Sequence, residues 1–155
     1  MNVDNQVKQG SIIIFTIGFV KKSALDFFKV LQKAEVRKVV DVRLNNVSQL
    51  SGFTKKSDLA YFLRAISDIG YEHWPELAPT KEILDAYKKK RLSWPEYEER
   101  FAKLMIERHI ENIVSAYDLD HACLLCSETK ADKCHRRLVA EYLRSKWDNV
   151  EIQHL

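Results

Sequence analysis

The chain has 155 residues, 46% of them hydrophobic and 30% charged, and a net charge of +3. That length can bury one sizeable core, the composition is that of a globular protein, and so mild a charge is no signature of nucleic-acid binding by itself. No run approaches the roughly 18 apolar residues of a membrane span, the opening "MNVDNQVKQGS" lacks a secretory layout, and three clustered cysteines make a poor disulfide framework, so a cytoplasmic location is expected.

In chain order, residues 1–11 read as a loose extension of one α/β domain spanning 1–155. "SIIIFTIG" (Ser11 to Gly18) is an apolar, β-branched run that predicts a strand buried on both faces. Ser23 then caps a helix with Leu25, Phe28 and Leu31 at helical spacing. "RKVVDVR" (Arg37 to Arg43) is the second strand. Ser57 is expected to cap the next helix and Gly70 to stop it. "YEHW" (Tyr71 to Trp74) is a short strand closed by Pro75. Thr80 opens a helix to Arg91, and "SWPE" (Ser93 to Glu96) matches a capping box for a long helix reaching Ile113. "HACLLC" is a strand, "KCHRRLVAEYLRSKW" a helix and "NVEIQHL" a closing strand. The order β-α-β-α-β-α-α-β-α-β predicts a mostly parallel sheet with helices on both faces, a Rossmann-like three-layer α/β architecture.

In such sheets ligands bind beyond the carboxyl ends of the strands. That rule gathers Thr16 and Gly18, Asp41 and Arg43, His73, Cys126 and Glu128, and the helix start at Cys134, His135 and Arg136. Asp41, among valines, costs desolvation unless paired, and period two puts Arg43 on its face. The pair reads equally as a site or as scaffold. At about 100° per residue, His135 falls at the middle of the buried face of the last helix, with Cys134 and Arg136 at its edges. The free N–H groups of that first turn favour a thiolate or an anion. His135 also reads as a satisfied core histidine, and Cys126 as a small buried apolar residue. Strand alternation sends Cys123 to the other side of the sheet, so its expected role is structural.

Cys126, Cys134 and His135 form a possible zinc set, with Glu128 or His73 as a fourth ligand, although the spacing matches no zinc ribbon or deaminase. Phosphate-loop, dinucleotide, nucleophile-elbow and cysteine-phosphatase patterns are all absent. "YKKKR" (Tyr87 to Arg91) reads as a solvated helix end or a weak RNA-binding edge.

"FTIGF", "VVDVRLNNVSQLSGFTKKSDLAYFL", "YEHWPELAPTKEIL" and "CLLCSETKADKCHRRLVAEYL" together closely resemble the DUF488 family, over Ile12 to Leu155. The resemblance implies one α/β domain and carries no established activity. The family's T-I-G-H-S, D-V-R, L-C-x-E and C-H-R motifs fall on Thr16 to Gly18, Asp41 to Arg43, Cys126 with Glu128, and Cys134 to Arg136. Phe19 and Val20 replace the H-S pair, which removes any role for a histidine or serine there. The loop "DVRLNNVSQLSGFTKK" marks a distinct subgroup and offers Asn45, Asn46, Ser48 and Gln49 as hydrogen-bonding groups.

The leading expectation is a small enzyme, a hydrolase or transferase, acting on a polar or anionic ligand such as a nucleotide or nucleic-acid component. Asp41, Cys126, Glu128, Cys134 and His135 are its candidate catalytic residues. Thr16, Gly18, Arg43, Asn45, Ser48 and Arg136 are the candidate ligand-binding residues. The alternatives are a non-catalytic nucleic-acid or ligand-binding module and a structural zinc site. No cofactor is indicated by any motif.

Overall fold

The computed structural model describes residues 10–47 and 52–155. Ser48 and Gln49 of the polar loop lie outside the described residues. Five strands form one sheet: β1 (Ile12–Gly18), β2 (Lys38–Asp41), β3 (Gly70–His73), β4 (Ala122–Cys126) and β5 (Val150–His154), in the order β3-β2-β4-β1-β5. Every pairing is parallel, as a succession of crossover helices requires. The helices are α1 (Ala24–Lys33), α2 (Lys56–Ser67), α3 (Lys81–Lys88), α4 (Trp94–Arg108), α5 (Ile110–Ile113), α6 (Ala116–Leu119) and α7 (His135–Lys146). None of them is long and apolar enough to cross a membrane.

The sheet separates two apolar clusters. Phe27, Phe28 and Leu31 of α1 and Leu59 and Leu63 of α2 pack with Phe15, Ile17, Val39, Cys123 and Leu125 on one face. On the other, Phe101 and Met105 of α4 and Val139, Ala140 and Leu143 of α7 pack with Ile14, Val40, Leu124 and Cys126. Each such aliphatic or aromatic side chain contributes about 1.5–3 kcal/mol on full burial. Strand alternation thus separates the neighbours Leu125 and Cys126, and Cys123 lies with α1 and α2, away from Cys126.

Register brings the strand tips level: Gly18 lies beside Cys126, and Asp41 beside both Leu125 and His73. The chain leaves β1 and β2 for the α1/α2 face but leaves β4 for the α7 face. This change of side opens a crevice at the end of β4.

Three local expectations differ. The helix expected from Ser57 begins at Lys56, with Lys55 as a cap that makes no side-chain bond, because the Lys56 N–H donates to the Asn46 carbonyl at 2.9 Å. It stops at Asp68, which adopts the left-handed conformation (φ 51°) that Asp tolerates, and Gly70 opens β3 instead. The helix expected to reach Ile113 ends at Arg108, where left-handed His109 (φ 50°) turns the chain into the separate α5.

Candidate active site

Cys126 ends β4, and the turn after it aims the Ser127 and Glu128 amides at its sulfur. Cys134 stands at the N-cap of α7, in extended conformation and with no side-chain cap bond, so its thiol is free to face Cys126. His135 begins the helix. The two sulfurs and an imidazole nitrogen lie within 4.8 Å of one another, all three residues buried. The His135 Nε2 lies 2.7 Å from the Val42 carbonyl oxygen, which can only accept, so Nε2 carries the proton. Nδ1, 3.5 Å from Cys126 Sγ, is therefore the nitrogen available to exchange a proton with that thiol. Phe101 packs against the ring edge-on at 5.9 Å and fixes its plane.

The two thiols differ in acidity. The Cys126 thiol is brought below its ordinary range by the hydrogen bond from Cys134, which outweighs burial, with the Ser127 and Glu128 amides and the Arg136 charge adding to it. Cys134, as the donor of that bond and buried beside the same sulfur, is pushed up and keeps its proton. Cys123 is also pushed up, by complete burial.

These groups form the floor of a cleft of about 390 Å³ lined also by Arg43, Asn45, Ser127 and Glu128. The start of α4 and the face of α3 make its wall, where Trp94 stacks on Tyr97 with centroids 4.9 Å apart and Tyr87 lies 5.0 Å from Tyr97. Burial, and then the proximity of Cys126 and Cys134, raises the Tyr97 phenol, which stays protonated. Lys81, Lys88 and Lys133 bring positive charge to the cleft and Asp85 negative charge. The Ser93 capping box fixes where α4 begins and hence where Trp94 stands.

Behind the cleft, Asp41 is fully buried and fully occupied. Arg43 donates to both its oxygens at 2.8 Å, the Arg43 amide donates to Oδ1 at 3.1 Å, and the Tyr71 hydroxyl donates to Oδ2 at 2.6 Å. Arg43 also donates to the Thr54 carbonyl, and its guanidinium lies over the Phe19 ring. His73 Nε2 meets the Arg43 carbonyl at 2.7 Å. Asp41 does not line the cleft; it holds rigid the Arg43 segment that does.

Arg136 is 1% exposed and lies at the centre of the buried stripe of α7, together with Val139, Ala140 and Leu143, rather than at its edge. Its guanidinium explains the shift. Nη1 donates to the Glu128 carbonyl at 2.6 Å, Nη2 to that of Thr129 at 3.4 Å, and Nε to Thr16 Oγ1 at 3.3 Å. Thr16 Oγ1 in turn lies 2.6 Å from His154 Nδ1. A Cβ on Gly18 would stand 1.6 Å from the Glu128 carbonyl oxygen, so only glycine lets the 127–129 turn settle on β1. Thr16, Gly18 and Arg136 thus sit beneath that turn, outside the cleft lining, and set the height of the amides on Cys126.

The fold therefore brings Cys126, Glu128, Cys134, His135, Arg43 and Asn45 to one cleft. Asn45 Oδ1 accepts from the Val47 amide, and Asn46 donates to Tyr71. The aromatic wall and the cleft lysines escape sequence reading. Of the basic run, Lys88 lines the cleft, a role that nothing in the run's pattern distinguishes from that of Lys89 and Lys90.

The architecture is that of an open parallel α/β protein with a thiol–imidazole cluster at its switch point. The family described as a domain of unknown function, DUF488, matches residues 23–143, and the chain belongs to that family. No curated protein and no solved structure matches it.

Proposed function

We propose that the protein is a small thiol-dependent enzyme, a hydrolase or group transferase, acting on a polar, anionic ligand such as a nucleotide or nucleic-acid component. The observation that carries this reading is the position of Cys126. Its sulfur lies at the floor of a cleft, 3.5 Å from an imidazole nitrogen whose ring partner is fixed by a carbonyl. A nucleophile, a base in reach and a group that orients the base are the three parts thiol catalysis needs. In this scheme Cys126 attacks and His135 takes its proton. Cys134 and the Ser127 and Glu128 amides hold negative charge at the sulfur, and the His135 imidazolium so formed returns its proton to the leaving group, with Glu128 beside it in the cleft. Lys81, Lys88, Lys133 and Asn45 hold the ligand, for which about 390 Å³ is adequate room. Asp41 acts through Arg43, and Arg136 through the turn above Thr16 and Gly18. The test is product analysis by mass spectrometry after incubation with a panel of nucleoside phosphates and short single-stranded RNA. Turnover by the native chain, lost by at least about a hundredfold in Cys126→Ser with binding retained, is expected. Binding without turnover in any sample would instead support a non-catalytic module.

The convergence of two sulfurs and one nitrogen within 4.8 Å favours a second reading, a zinc ion on Cys126, Cys134 and His135. His135 has the carbonyl-held ring expected of a metal-binding imidazole. Elemental analysis of protein purified without added metal separates the two: stoichiometric zinc supports the second reading, and its absence the first.

A further inference from the structure

We propose that Cys126 and Cys134 are a reversible redox pair: a small hydroperoxide oxidises Cys126, and Cys134 closes a disulfide upon it. This inference rests on the reading of Cys126 as a thiol reached from the cleft, and it adds a modification site that enzymatic turnover does not require.

Geometry carries the argument. The two sulfurs belong to one cluster spanning 4.8 Å, and both line the cleft as free thiols. A disulfide needs about 2.05 Å between sulfurs, so they must approach further. Two features allow it. Cys134 is a helix cap in extended conformation whose side chain bonds no helix amide, so rotating it breaks no cap. Residues 127–133 between the cysteines contain no helix or strand; Arg136 holds the Glu128 and Thr129 carbonyls on the Cys126 side, so the contraction falls to the exposed Lys130, Asp132 and Lys133 leading into Cys134. Burial of Cys126 to 5% exposure admits an oxidant of water-like size more readily than a bulky one.

The chemistry balances in two steps. The Cys126 thiolate attacks one peroxide oxygen; the O–O bond breaks, a sulfenic acid forms, and hydroxide leaves and takes a proton to become water. Cys134 then attacks the Cys126 sulfur; the S–O bond breaks, the Cys134 proton joins the departing hydroxide, and a second water leaves. Two thiols supply the two electrons that hydrogen peroxide accepts. The product removes the nucleophile and takes the thiol proton from the reach of His135, and a dithiol restores both. Cys123 is an internal control, since it lies on the opposite face of the sheet with α1 and α2.

The test uses the full chain, reduced and dialysed against a chelator, and exposed to hydrogen peroxide. The expected result is a fall from three titratable thiols to one, a mass loss of two hydrogens, a Cys126–Cys134 cross-linked peptide and full reversal by dithiothreitol. Cys134→Ser should stop at a sulfenic acid captured by a dimedone probe at Cys126, and Cys126→Ala should keep both remaining thiols. Native protein that retains three thiols, or that carries Cys126 to sulfinic acid with Cys134 still reduced, overturns the proposal without recourse to either variant. The outcome is separable from the enzymatic reading. Turnover without a cross-link sinks only the redox pair, and a cross-link without turnover sinks only the enzyme.

Discussion

Asp41 illustrates how a side chain can matter to a cleft it never touches. Its two oxygens accept from Arg43 at 2.8 Å each and from Tyr71 at 2.6 Å, in a setting that excludes water. Replacing such a buried partner leaves the other charge unsolvated, which costs more than the pair itself contributes. Asp41→Asn is therefore expected to destabilise the fold by about 3–5 kcal/mol in urea unfolding. Tyr71→Phe, which removes one neutral donor from the carboxylate and keeps the ion pair, should cost less, about 1.5–3 kcal/mol. Equal and small losses in both variants would mean that the carboxylate does not organise this region.

At the scale of elements, β5 is an edge strand, and its anchor to the turn above β1 runs through His154, Thr16 and Arg136. Burial, and then the nearby Arg136 charge, hold the His154 imidazole below its ordinary range; Arg137 and Arg144 act in the same sense, and Glu141 opposes them. The sign follows from linkage: unfolded histidine, titrating near about 6.5, takes up the proton that the folded state resists. Stability contributed by this group is present above that value and declines as pH falls through the window just below it. Thermal midpoints measured from pH 7 to 5 should therefore drop more steeply for the native chain than for His154→Gln. Parallel curves would remove His154 from the account. The same elements show what the sequence makes legible. Ser23, Thr80 and Ser93 cap α1, α3 and α4 because hydroxyl capping is local chemistry, readable from a few residues. Ser57 does not cap α2, since an Asn46 carbonyl distant in sequence satisfies the Lys56 amide. Arg136 is central rather than marginal in α7 because carbonyls from the 127–129 turn receive it, and periodicity has no knowledge of them.

For the whole molecule, apolar β-branched runs alternating with helical patterns imply parallel strands, and parallel strands imply level tips. That is why Cys126, Cys134, His135 and Arg43 could be gathered from sequence. Tyr87, Trp94 and Tyr97 could not, because tertiary contacts place α3 and α4 over the tips. Arg137 ties α7 to Glu98 of α4 at 2.8 Å, and Arg108 holds the Glu76 and Ala78 carbonyls. The same placement divides the basic run. Lys88 lines the cleft, while exposed Lys89 and Lys90 are not among its lining residues. An anionic ligand held in the cleft should therefore feel Lys88 and Lys81 but not Lys90, whereas RNA held along the outer edge should feel Lys89 and Lys90. With a short single-stranded RNA as probe and the change in tryptophan fluorescence as the signal, Lys88→Ala is expected to weaken binding about two- to fivefold, the range for one solvent-screened ion pair. Lys90→Ala should leave affinity unchanged, and raising the salt should narrow the difference. The reverse ranking would move the binding surface off the strand tips and separate it from the thiols.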